Sequence, residues 1–166
     1  MLYTAAYDSP LGVMTLASDG ASLTGLWFDG QRYAPDLKPG AESASDLPVF
    51  EQTARWLDRY FAGTMPRFLP PLDPPGTPFR RLVWALLRQI PPGSVATYAQ
   101  IAAQAAQKMG RAHMAAQAVG GAVGHNPISI LIPCHRVVGS DGSLTGYAGG
   151  IDRKAALLRL ERSMRA

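Results

Sequence analysis

The stretch MPRFLPPLDPPG, residues 65 to 76, carries five prolines in twelve positions and constrains the fold more than any other feature of the chain. Proline has no backbone N–H and fixes its own φ, so neither a helix interior nor a central strand can run through this segment. The chain must be organised on either side of it. Residues 1–76 hold five Lys/Arg and nine Asp/Glu, whereas 77–166 hold eleven and three, so the net charge changes from −4 to +8 at the same place. A boundary is expected there, between an N-terminal α/β domain (1–76) and a C-terminal domain (77–166). A basic half beside an acidic one suits contact with a polyanion such as nucleic acid, although basic residues can equally be plain solvated surface.

Upstream of the connector the pattern is β. LYTAAY, VMTLAS and LTGLWF are short runs rich in Thr, Tyr, Val and Trp, separated by DSPLG and SDGAS turns; connections this short predict an antiparallel meander. Residues 34–46 read as an exposed loop. VFEQTARWLDRYFAG follows with helical spacing, Phe50, Leu57, Tyr60 and Phe61 on one face and Gly63 as its stop. Downstream the pattern is helical. Thr77 caps a helix with Pro78 in its first turn, and Phe79, Leu82, Val83, Leu86, Leu87 and Ile90 form its apolar stripe, leaving Arg80, Arg81 and Arg88 outside. Thr97 and Gln100 make a T-x-x-Q capping box for a second helix, 97–107. A third runs from 114 to 123 with Gly124 as its stop. The fold class is therefore α+β: a small antiparallel-sheet N-terminal part and a C-terminal helical part with a helix-turn-helix.

The third helix, AAQAVGGAVG, offers almost no bulk. Each of its paired glycines weakens a helix by roughly 1 kcal/mol relative to alanine. Small residues admit a close neighbour, either a protein core or a nucleic-acid groove. Composition bounds the rest. With 47% apolar and 17% charged residues the chain is globular. Its one cysteine, Cys134, excludes an internal disulfide and any zinc site needing two cysteines; separately, no metal or other cofactor is expected. No leader or membrane-length apolar run is visible, which suits a reducing, cytoplasmic setting without membrane attachment.

Cys134 lies in NPISILIPCHRVV. The ISILI run reads as a buried strand, Asn126-Pro127 turns into it, and Pro133 fixes the approach to the thiol. His135 and Arg136 would lower the thiol's pKa if near it, and a glycine-rich loop, GSDGSLTGYAGG, follows. In extended chain, Cys134 and His135 point to opposite faces, so they meet only through a bend or a water. Three fates stay open for this thiol: a core residue, a hydrolase nucleophile with His135 or His125 and Asn126, or an acceptor used once.

PCHRV, preceded by AVGGAVGHNPISILI and followed by GSLTGYAGG, resembles the active-site motif of the O6-alkylguanine-DNA alkyltransferases, or methylated-DNA–protein-cysteine methyltransferases. The likeness extends through GSVATYAQIA and RKAALLRLE, covering 77–166, and more loosely through the first 76 residues. It implies a ribonuclease H-like N-terminal domain and a winged helix-turn-helix C-terminal domain that binds DNA and accepts the alkyl group. It further implies an irreversible, single-turnover transfer from O6-alkylguanine, and O4-alkylthymine, in double-stranded DNA, by a monomer acting on a nucleotide flipped through the minor groove. Cys134 matches the acceptor, His135 its activator through water, and Glu161 the acid that orients the histidine. Tyr98 matches the tyrosine that assists nucleotide rotation and protonates guanine, and Asn126 the hinge. Val137, Tyr147 and Ala148 fall in the substrate pocket, Ala148 where the family often has serine. Gln117, Ala118, Gly120, Gly121 and Arg136 fall on the DNA side, Gln117 where the family usually has an arginine finger. A non-catalytic lesion-binding protein on the same fold is the further alternative.

Overall fold

The computed structural model describes residues 2–34, 42–44, 46–144 and 146–164. Strands β1 (Tyr3–Ser9), β2 (Gly12–Ser18) and β3 (Leu23–Phe28) form the expected antiparallel meander. Part of the expected 34–46 loop is instead a strand: β4 (Glu42–Ser43) pairs parallel with β1 and gives the sheet order β3-β2-β1-β4. Residues 35–41 and 45 of that loop lie outside the described residues. Helix α1 (Pro48–Phe61) buries Val49, Phe50, Thr53, Trp56, Leu57 and Tyr60, and Gly63 takes φ 96° beyond its end.

The connector is pinned. Leu23 donates to Pro71 O and accepts from Asp73 N, at 2.8 and 2.9 Å. Farther along the same edge, Leu26 donates to Pro127 O and accepts from Ser129 N, both at 2.8 Å. The outer edge of β3 thus holds both the connector and the segment leading to Cys134, where an unpaired edge would otherwise face solvent.

In the basic half, α2 (Pro78–Leu87) starts at Thr77, whose hydroxyl accepts from Arg80 N at 3.2 Å. Thr97 and Gln100 form the complete capping box of α3 (Tyr98–Lys108). Helix α4 spans Ala116–Gly124, two residues later than expected at its start; Ala115 supplies no side-chain cap, and Gly124 is the last helical residue rather than a left-handed stop. Short strands β5 (Ala96–Thr97) and β6 (Val137–Val138) pair in parallel, and α5 (Ile151–Ser163) closes the chain.

ISILI is not a strand. It is buried, but its backbone turns: Ile130 has φ 70°, Leu131 N bonds Ser129 O, and Ile132 N bonds Ile128 O. The cause is local, since Asn126 Nδ2 donates to Ile132 O at 2.8 Å while its Oδ1 accepts from Ile128 N at 3.0 Å, drawing both ends of the run onto one amide. One hydrophobic cluster, from Met14 through Leu57 and Leu87 to Leu157, passes through both halves of the chain. Among the described residues no helix is long and apolar enough to cross a membrane.

Candidate active site

The site is assembled where α5, a 3-10 turn at Cys134–Arg136 and α1 converge. On α5 the buried positions are Lys154, Leu157, Leu158 and Glu161, spaced i, i+3, i+4, i+7. An ordinary amphipathic stripe thus carries a charged residue at each end into the interior. Glu161 is fully buried and accepts four hydrogen bonds: His135 Nε2–H and Tyr60 Oη–H at 2.6 Å, and Arg136 Nε and Nη2 at 2.7 and 2.9 Å. Burial alone would raise its carboxyl; the hydrogen bonds from His135 and Arg136, with the Arg136 charge, overcome that and hold it well below its ordinary value. An ionised carboxylate can only accept, so His135 carries its hydrogen on Nε2. Burial holds the imidazole below its ordinary pKa, hence neutral. The lone pair is then on Nδ1, and this fully buried atom has no hydrogen-bond partner among the described residues.

Cys134 heads the 3-10 turn, its N–H bonded to Ile132 O at 2.8 Å, and is 4% exposed. Cys134 and His135 are successive residues of this 3-10 turn, where extended chain was expected from the apolar run. Burial pushes the thiol up to about 11; a hydrogen bond from Asn126 and the charge of Lys154 oppose this without overcoming it. The resting group is a thiol, contrary to the depression expected from His135 and Arg136. Lys154 Nζ donates to Val137 O at 2.5 Å, and burial lowers its own pKa to about 8.

Around the thiol, Val137 is fully buried and Tyr147 nearly so, its ring edge-on to His135 with centroids 6.5 Å apart. Burial, and after it the nearby Cys134, raises the Tyr147 phenol pKa well above its ordinary value. Tyr98, at the first turn of α3, is half-buried, and burial followed by the nearby Cys134 raises its phenol pKa. Gly146, at φ 75°, lies against it: a Cβ there would sit 3.0 Å from the Tyr98 hydroxyl. Asn126, Cys134, His135, Val137, Tyr147 and Glu161 therefore share one buried region, with Tyr98 at its margin.

Arg136, expected among the DNA-binding residues, is instead buried and paired inside the protein. It is 4% exposed, both of its Glu161 bonds are internal, and Nη1 donates to Ile90 O at 2.6 Å. A buried guanidinium must be paired, and Glu161 is its counter-charge. The other expected DNA-side residues lie on α4, where Gln117, Ala118 and Gly121 are exposed and Gly120 half-exposed. A Cβ on Gly120 or Gly121 would meet no protein atom within 4 Å, so these glycines serve no contact inside the protein. Beside them a cleft of about 510 Å³ is lined by both glycines together with Arg32, Tyr33, His125, Tyr147 and Ala148. Among the described residues no three His, Cys, Asp or Glu side chains cluster as metal ligands.

Tyr60 and Lys154 were not legible as site residues. Tyr60 reaches Glu161 across 101 positions and reads locally as one more apolar-face aromatic. The only trace of Lys154 is its place on the stripe of α5.

Residues 2–74 match the ribonuclease-like domain of 6-O-methylguanine DNA methyltransferase, and 78–163 match that protein's DNA-binding domain. A methylated-DNA–protein-cysteine methyltransferase of Haemophilus influenzae is 43% identical over 97% of this chain and 87% of its own length. One from Mycobacterium bovis is 45% identical over 98% and 94%. The crystal structure of Mycobacterium tuberculosis OGT in complex with DNA superposes with TM-score 0.84 at 42% identity, over 98% of this chain and 94% of that one.

Proposed function

The chain belongs to the 6-O-methylguanine DNA methyltransferase family, and from that premise we propose that it repairs alkylated DNA by moving the alkyl group from O6 of guanine, and from O4 of thymine, to the Cys134 sulfur. The observation that carries this reading is the buried Glu161–His135 pair beside the only cysteine, with Nδ1 of the imidazole unpartnered and able to accept a proton.

Each step follows from a named group. The target lies inside the base stack, so the nucleotide must leave it and enter the cleft beside α4. The Ala/Gly face of α4 meets the minor groove with little base-specific contact, and Gln117 occupies the gap in the stack. His135 Nδ1 takes the Cys134 proton through a bridging water, and Glu161 stabilises the imidazolium. The positive Lys154 and the Asn126 amide favour the thiolate that forms. Sulfur attacks the alkyl carbon, the C–O6 bond breaks with its electron pair going to O6, and Tyr98 delivers a proton to the departing guanine. The proton held by His135 restores Tyr98, so one proton leaves the thiol and one reaches the base. The product is a thioether, which water does not readily cleave. One molecule contains the whole acceptor site, so a monomer suffices and turns over once. A DNA substrate and an unpaired thiol support a cytoplasmic location.

Incubation with a duplex containing O6-methylguanine is expected to add one methyl mass to the peptide bearing Cys134, with one equivalent transferred per protein. An unmodified Cys134 after prolonged exposure to excess lesion would instead indicate a lesion-binding protein, and multiple turnovers a hydrolase.

A further inference from the structure

The turn after β3 sits on both walls of the cleft. The Arg32 amide donates to Ala148 O at 3.0 Å on the glycine-loop side. On the α4 side, the Tyr33 ring stacks on His125 with centroids 4.1 Å apart and planes 24° from parallel. His125 is itself fixed: its Nδ1 lies 2.8 Å from Gly121 O, and a carbonyl only accepts, so Nδ1 carries the hydrogen. The Arg32 guanidinium rests over the Tyr33 ring, 4.8 Å from its centroid.

Three facts separate this arrangement from ordinary surface. Tyr33 holds φ 64° and is 52% exposed, an unfavourable conformation for an aromatic residue whose ring is not in the core. Arg32 is the only Lys or Arg lining the cleft among the described residues. It also stands in the half of the chain whose net charge is −4, so it is no member of a general basic surface.

We propose that Arg32, displayed on the Tyr33–His125 stack, is a DNA-contacting residue that takes the phosphate beside the nucleotide entering the cleft. This rests on the alkyl-transfer reading above. A guanidinium fits a phosphate with two parallel hydrogen bonds, and stacking on an aromatic ring restricts it beforehand, so less freedom is lost on binding. Gln117, which reaches the DNA from α4, has no charge to offer there. The N-terminal half thereby contributes the cation of the cleft.

Binding of the full chain carrying C134S to a lesion duplex, measured over a salt series, tests this. Arg32→Ala is expected to lower the slope of log K against log salt by about one, whereas Arg32→Lys keeps it. With Cys134 restored, Arg32→Ala is expected to reduce the ratio of the duplex rate to the rate with free O6-benzylguanine, which has no phosphate, by about tenfold or more. An unchanged slope overturns the proposal, as does a parallel loss of both rates, which would make Arg32 a strut for the Ala148 loop. Failure of unsubstituted protein to alkylate Cys134 would overturn the transfer reading itself, whatever the slope.

Discussion

Glu161 shows how much chemistry one side chain can hold. It neutralises Arg136, fixes the tautomer of His135 and accepts from Tyr60, all without solvent. Glu161→Gln keeps the shape but leaves Arg136 buried without a counter-charge, so we expect a loss of about 3–5 kcal/mol in stability. The transfer rate should fall about 100-fold, because the imidazolium is no longer stabilised. Thermal melting and single-turnover rates on one preparation check both; a variant as stable as the parent would contradict the pairing. At this scale the motif around Cys134 made Cys134, His135 and Glu161 legible by resemblance. Arg136 is buried and paired with Glu161, which was not legible because a basic residue beside a motif looks the same in sequence whether it faces phosphate or a buried carboxylate.

Among the elements, α4 is built against its own stability. Gly120 and Gly121 sit in a helix with open space where a Cβ would go, and neither has positive φ. Gly121→Ala is therefore expected to stabilise the protein by about 0.5–1 kcal/mol, and at the same time to weaken binding to duplex DNA. A rise in melting temperature with a weaker Kd is the expected pair; a lower melting temperature would show a contact inside the protein. Local chemistry made α2 and α3 readable, since Thr77 and the Thr97–Gln100 box both cap as expected. ISILI was not readable, because an apolar run reports burial but not backbone direction. Its turns are imposed by Asn126 reaching across six positions.

For the whole molecule, the buried network ties α1, α5 and the Cys134 turn into one unit, so protonating it acts on global stability. His135 has a folded pKa below its ordinary 6.5, so protons favour the unfolded chain, and its contribution is complete above 6.5 and lost as pH falls below it. Glu161, at about 2 folded against 4.5 ordinarily, contributes above 4.5 and loses that contribution as pH falls toward 2. Melting temperature is therefore expected to drop below pH 6.5 and again below 4.5, the second step being absent in Glu161→Gln. A profile flat from pH 7 to 4 would contradict the buried neutral imidazole. The proline connector and the charge change set the expected boundary near residue 76, while one hydrophobic cluster runs through both halves. Nothing in the sequence pointed to β3 as the edge that joins the connector to the segment before Cys134, because that pairing is made by backbone groups common to every residue.

A reagent that can be used once needs a long shelf life. Burial pushes the Cys134 thiol above its ordinary range, so the resting sulfur keeps its proton at neutral pH. Burial adds a steric seal. Stray electrophiles and oxidants consume thiolates, so the same environment that demands a proton acceptor at the moment of reaction keeps the unspent protein intact between lesions.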